Sequence, residues 1–196
     1  MFLRRLITLA NAVKCPYLRV YLNLCARADL LWWTSPLPAH NSKTFFRSAT
    51  PELPTAVPTD DSLSGGGCIW ETDWMYVNWA LDYPALCSLH INSKETFTIV
   101  LAAHHWAPFW SGYQVVIKSD SQVAVAILNK GSTCCPVMMD WLCSLFWLKE
   151  DYNFSLLVKH IPGTTKTLAD SVSPLTMYTT GQRSRHGSLN PLYHMI

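Results

Sequence analysis

A chain of 196 residues with 49% hydrophobic side chains can bury one well-packed domain plus an appendage, which excludes a globally disordered protein. Seven cysteines (15, 25, 68, 87, 134, 135 and 143) form no C-x-x-C pair, which excludes a disulfide framework or structural zinc module and points to reduced thiols inside a cell. The net charge of +2 is unevenly spread: residues 1–50 carry seven Lys and Arg against one Asp, and residues 51–175 carry six Lys against twelve acids. A basic arm beside an acidic body suits an anionic partner held by the arm, while the acids gather a cation.

Phe2 to Val13 is apolar around Arg4 and Arg5, like the head of a targeting peptide. The run is far shorter than the ~20 residues that span a bilayer, so no membrane segment is expected. Tyr17, Val20, Tyr21, Leu24, Ala28 and Leu31 recur at helical spacing and predict an amphipathic helix from Tyr17 to Trp33. Residues 1–33 are thus expected as a helical arm. Residues 34–54, broken by Pro36, Pro38, Pro51 and Pro54, read as a Pro-rich linker.

A compact domain is expected over residues 55–175. Thr59-Asp60-Asp61-Ser62 precedes Gly65-Gly66-Gly67, and Cys68-Ile69-Trp70 and Trp74 to Trp79 follow as strands of an antiparallel meander. Ser93 to Phe109 reads as a helix with Phe97, Val100, Leu101 and His104 on one face. Val115, Val116 and Ile117 form a β-branched run suited to a buried strand, and Val123, Ala126, Ile127 and Lys130 suggest the next helix. Cys134-Cys135 reads as packing at the start of an apolar helix over Val137 to Trp147, expected to be buried along most of its length. A strand from Phe154 to Val158 and a short helix from Thr167 to Val172 complete the domain, and residues 176–196 read as a disordered tail. The order predicts an α/β architecture with a mixed sheet and helices packed on it.

Four acids fall on separated elements: Asp60 at the end of the first strand, Glu95 in the first turn of the first long helix, Asp120 at the end of the fourth strand and Asp170 in the last helix. Singly, each reads as a cap or a solvated face. As a set at converging strand ends, they would make an oxygen-rich site for Mg²⁺. His104-His105 read as helix-surface residues, Trp106, Trp110, Trp141 and Trp147 as packing residues, and His90 as ordering the turn into its helix.

The segments TDDSLSGGGCIW (59–70), HINSKE (90–95), SDSQVAVAILNKG (119–131) and HIPGTTKTLADSVS (160–173), with ARADLLWW (26–33) upstream, resemble a type-1 ribonuclease H domain, specifically that of DIRS-type retroelement reverse transcriptases. The resemblance covers roughly residues 20 to 175. It implies a ribonuclease H-like five-stranded mixed sheet that cuts the RNA strand of RNA–DNA hybrids with two Mg²⁺, for which Mn²⁺ can substitute. Asp60, Glu95, Asp120 and Asp170 match the metal ligands, His160 matches the histidine ten residues before the last of them, and Ser121 and Gln122 match substrate contacts. The arm resembles the connection segment of the polymerase, Met1 falling within it, so the polymerase domain itself is a partner to be supplied in trans. Action inside the cell, in cytoplasm or nucleus, is expected, with no membrane partner. The chain departs from the family's TDAS in reading Asp60-Asp61, and Pro58 stands in a strand expected to be central, where proline is rare. Two readings therefore stand, an active hybrid nuclease and a nucleic-acid-binding remnant of the same fold.

Overall fold

The computed structural model describes residues 4–13, 15, 17, 19–34 and 50–162. The chain divides into two compact units, Met1–Ser48 and Ala49–Ile196.

In the first unit, helices α1 (Arg4–Ala12) and α2 (Leu24–Thr34) pack on each other. The single helix expected from Tyr17 is shorter at its start, because residues 19–23 carry no regular structure. Asn23 sets the boundary: its side-chain oxygen accepts from Ala26 N at 2.8 Å, an N-cap bond. Tyr17 and Tyr21 stand exposed ahead of it.

The second unit holds a five-stranded sheet in the order β3-β2-β1-β4-β5. Its strands are β1 (Val57–Asp61), β2 (Gly65–Trp70), β3 (Asp73–Asn78), β4 (Gln114–Ser119) and β5 (Ser155–His160). The first three form an antiparallel meander, and β4 and β5 join parallel to β1 and to each other. Between them run α3 (Trp79–Asp82), α4 (Ile91–Trp106), α5 (Gln122–Lys130) and α6 (Pro136–Asp151). The expected mixed sheet with helices packed on it is the observed architecture. The domain begins earlier than Thr55: Leu53 N donates to Gln114 O at 2.8 Å and its side chain is buried, so the end of the proline-rich segment is anchored in the core.

Pro58 is tolerated in the central strand because it stands where β1 changes partner. Pairing with β4 covers Val57 and Pro58, and pairing with β2 begins at Thr59. Glycine reaches further into the sheet than expected, since Gly65, Gly66 and Gly67 belong to β2. At Gly66 a Cβ would collide with Asp61, Thr98 and the Trp79 ring.

Local signals start and stop the helices. His90 Nδ1 accepts from Asn92 N at 3.2 Å, so α4 begins at Ile91, two residues before the expected Ser93. The Asn78 side chain accepts from Ala80 N and Leu81 N while Asp82 Oδ2 accepts from Asn78 N, a reciprocal cap that turns the chain out of β3 at Trp79. Ser121 caps α5, and Gly131, at φ 64°, ends it in the left-handed conformation that glycine adopts most readily. Ala124 is the fully buried residue of α5, with Ile127 and Leu128 partly buried, so the apolar face is offset by one residue from the expected Val123 and Ala126, both exposed. Pro136 starts α6 at a position where a missing N–H does no harm.

The most deeply buried helix is α4 rather than α6. Thr96 to Ala103 are all buried as α4 packs across β1 and β2 and against α5 and α6. Phe97 meets Trp141 of α6 at 4.7 Å between ring centroids. A second aromatic group joins Trp70, Trp106, Trp110 and Phe154. A buried aromatic ring removes about 150–250 Å² from water, so these clusters are a large apolar contribution to the core.

Candidate active site

The register of the parallel strands determines what meets at their carboxyl ends. Val57 pairs with Ile117 and Pro58 with Lys118. Two steps beyond the last pair, on both chains, stand Asp60 and Asp120, the first still in β1 and the second just past β4. Thr59 Oγ1 donates to Lys118 O at 3.2 Å, keeping the two chains together at that level. On the other side of β4, Ser119 pairs with His160 and Ile161 N donates to Ser119 O at 3.0 Å. The exposed His160 ring donates from Nε2 to Asp120 O at 3.1 Å. Asp60, Asp120 and His160 thus belong to three adjacent strand ends, where open α/β sheets place their ligands.

Glu95 comes from α4. Because the helix starts at Ile91, Glu95 lies past the first turn in which it was expected. Its immediate neighbour Lys94 donates from Nζ to Leu63 O at 3.2 Å and lies over the Trp79 ring. One turn later, Thr98 Oγ1 donates to Asp61 Oδ1 at 2.6 Å. Glu95 is therefore bracketed by two residues fastened to the end of β1 and the turn after it. It is half-buried, with Oε2 shut off from solvent.

The turn itself is held on every carbonyl. Trp79 Nε1 donates to Ser62 O, Lys94 Nζ to Leu63 O, Trp79 N to Ser64 O, and Ser62 N to Gly65 O. Leu63 projects from it, 81% exposed.

Ser121 Oγ accepts from Ala124 N as the cap of α5, and its own N–H donates to Ser119 Oγ, so its groups serve the local turn. Gln122 is exposed at the first position of that helix. Asp170, with its helix over Thr167 to Val172 and the tail, lies outside the described residues. Among the described residues, no three of His, Cys, Asp and Glu gather closely enough to hold a metal ion.

Burial pushes the Cys68 thiol well above its ordinary range, and the nearby Asp61 and Asp73 carboxylates raise it further, so it stays protonated. His104 is not a surface residue: it bonds Ser144 of α6 at 2.7 Å, and burial holds its pKa below the ordinary 6.5. His105 lies 3.6 Å from Asp73, and that carboxylate also accepts from Trp106 Nε1 at 2.9 Å. Residue pattern did not reveal the Asp61–Thr98 and Lys94–Leu63 ties. A signal for the first lay in the doubled aspartate of TDDS and a threonine one helical turn past Glu95.

Strand order, strand direction and the helix across β1 and β2 make this a ribonuclease H-like fold. No family model matches the sequence, and no curated protein matches it. Among solved structures, RNase H1 from the halophilic archaeon Halobacterium salinarum NRC-1 is similar at a TM-score of 0.46 and 14% identity, over 64% of this chain and 98% of that one. A likeness of that size speaks to no residue's role. No helix among the described residues is long and apolar enough to cross a membrane.

Proposed function

We propose that this chain is a divalent-metal-dependent endonuclease that hydrolyses the RNA strand of RNA–DNA hybrids. In this reading it derives from a DIRS-type retroelement reverse transcriptase, acts in the cytoplasm or nucleus, and works with a polymerase domain supplied in trans. The observation that carries the reading is that Asp60 and Asp120 each stand two residues beyond the last register pair, Pro58 with Lys118, of the parallel β1 and β4. The donor chemistry agrees: carboxylate oxygens from separate elements suit magnesium, whereas zinc favours sulfur and imidazole.

Asp60, Glu95, Asp120 and Asp170 would hold two Mg²⁺, with Mn²⁺ able to substitute. Bound there, the ions would supply an activated water and offset the charge of the leaving oxygen. The chain's own residues do the remaining work. His160, exposed and with its Nε2–H fixed on the Asp120 carbonyl, would use Nδ1 to take up and deliver a proton. Ser121, locked into its cap, sets where Gln122 stands, and Gln122 reaches the hybrid. The wide minor groove of an A-form-like duplex exposes 2′-hydroxyls, which tell RNA from DNA.

The test is incubation of the purified protein with an end-labelled hybrid, with and without Mg²⁺, beside duplex DNA. The expected result is cutting of the RNA strand alone, without sequence preference, abolished by chelator. Cleavage in chelator, or equal cutting of duplex DNA, would overturn the reading. Hybrid binding without cleavage would assign the chain to the nucleic-acid-binding remnant instead.

A further inference from the structure

We infer that Asp61 is a positioning residue, a clamp that sets α4 against β1 so that Glu95 is held in place relative to Asp60. The inference rests on the hydrolytic reading above. Consecutive residues of a strand point to opposite faces, so Asp60 and Asp61 cannot do the same job in an extended β1. Asp61 is the one turned to the helix. Its Oδ1 accepts from Thr98 Oγ1 at 2.6 Å, within the 2.5–2.7 Å range of a charge-assisted hydroxyl–carboxylate bond.

Three observations make this a built contact rather than a chance one. Gly66, paired with Asp61 across the sheet, leaves the room the contact occupies, since a Cβ there would meet both Asp61 and Thr98. Thr98 lies three residues after Glu95, and residues three apart on a helix are neighbours on its surface. A shift or rotation of α4 at Thr98 is therefore felt at Glu95. A second tie at this end of α4, Lys94 Nζ to Leu63 O, is made by a long side chain with many rotamers. A short hydroxyl on a short carboxylate fixes both height and rotation more closely. A solvated acid would be exposed and unengaged, whereas Asp61 is half-buried and bonded.

The test compares Asp61→Ala, Asp61→Asn, Thr98→Val and Thr98→Ser with the full-length wild type on a labelled hybrid in Mg²⁺, with circular dichroism to verify folding. Asn keeps an acceptor at Oδ1 and Ser keeps the hydroxyl, so both should cleave within about threefold of wild type. Asp61→Ala and Thr98→Val should lose about ten- to a hundredfold in kcat, the scale of a small misplacement, with KM unchanged. A folded Asp61→Ala or Thr98→Val with wild-type kcat would overturn the clamp, as would a loss confined to KM. If Asp61→Ala does not fold, Thr98→Val decides, being nearly isosteric. An Asp61→Asn without activity would make the charge itself essential and reassign Asp61 as a ligand. A wild type that cuts no hybrid would sink the hydrolytic reading, and the clamp with it; an active wild type with indifferent variants sinks the clamp alone.

Discussion

Asn129 binds both backbone groups of Val158, donating from Nδ2 to its carbonyl at 2.7 Å and accepting from its N–H at 2.9 Å. Among the described residues no strand flanks the outer edge of β5, and one side chain at the end of α5 thus takes the place of a strand neighbour at Val158. Edge strands with open N–H and C=O groups are templates for unwanted pairing, and this one is partly covered. Asn129→Leu should cost about 1–3 kcal/mol of stability, because it removes both partners from groups beside a buried valine. Chemical denaturation checks it. An unchanged midpoint would mean water replaces the amide without loss.

Asp60→Asn and Asp120→Asn should each abolish hybrid cleavage while leaving the circular dichroism spectrum intact. Each removes a charge two residues beyond the last register pair of the parallel β1 and β4. Either variant retaining more than about a tenth of wild-type kcat would show that its carboxylate is not needed, since a solvated surface acid contributes little.

His160→Ala should lower kcat by about 10²-fold, at the low end of what a positioned proton carrier provides, and leave hybrid affinity unchanged. The pH–rate profile should lose one limb. A variant with an unaltered profile would assign His160 to the strand-end bond with Asp120 alone.

Arg19 and Arg27 are exposed in the basic first unit. Changing both to Gln in the full chain should weaken hybrid binding and flatten its salt dependence by about 0.7–0.9 for each phosphate no longer neutralised. Binding measured between low and moderate salt checks this, and an unchanged slope would mean that neither arginine meets the backbone of the hybrid.

Burial holds His104 neutral in the folded protein, so the unfolded chain takes up its proton more readily. Stability should therefore be constant above the ordinary pKa of 6.5 and fall as pH drops below it, until the folded form is protonated too. His104→Gln, which can still bond Ser144, should flatten that decline. A pH-independent difference between the two proteins would rule out titration as the cause.

Much of the fold was legible in residue pattern. The β-branched run at Val115–Ile117, the meander and the long helices all stand close to where their spacing placed them. Failures came where distant contacts decide local structure. A run of three glycines looks like a turn, yet Gly65 and Gly66 are strand residues pressed by Tyr76, Asp61, Thr98 and Trp79, neighbours that propensity cannot see. The arm's apolar spacing continues through Tyr17 and Tyr21, but Asn23 offers a cap that begins the helix later. Leu53 was hidden among prolines because its anchor, Gln114, lies on another strand. For the candidate site, residue type and spacing identified which acids to compare but not which way they point. Facing depends on register, and the register of β1 against β2 and β4 is set by pairing along its whole length.

The turn from Ser62 to Ser64 has a consequence for whatever lands beside it. All its carbonyls already have donors within the protein, so its shape is settled when the chain folds. Fixing a residue's backbone costs about 1–2 kcal/mol, and for these residues that entropy is lost before any encounter. Anything that docks against Leu63 finds it on a fixed mount and loses no affinity to the ordering of this turn.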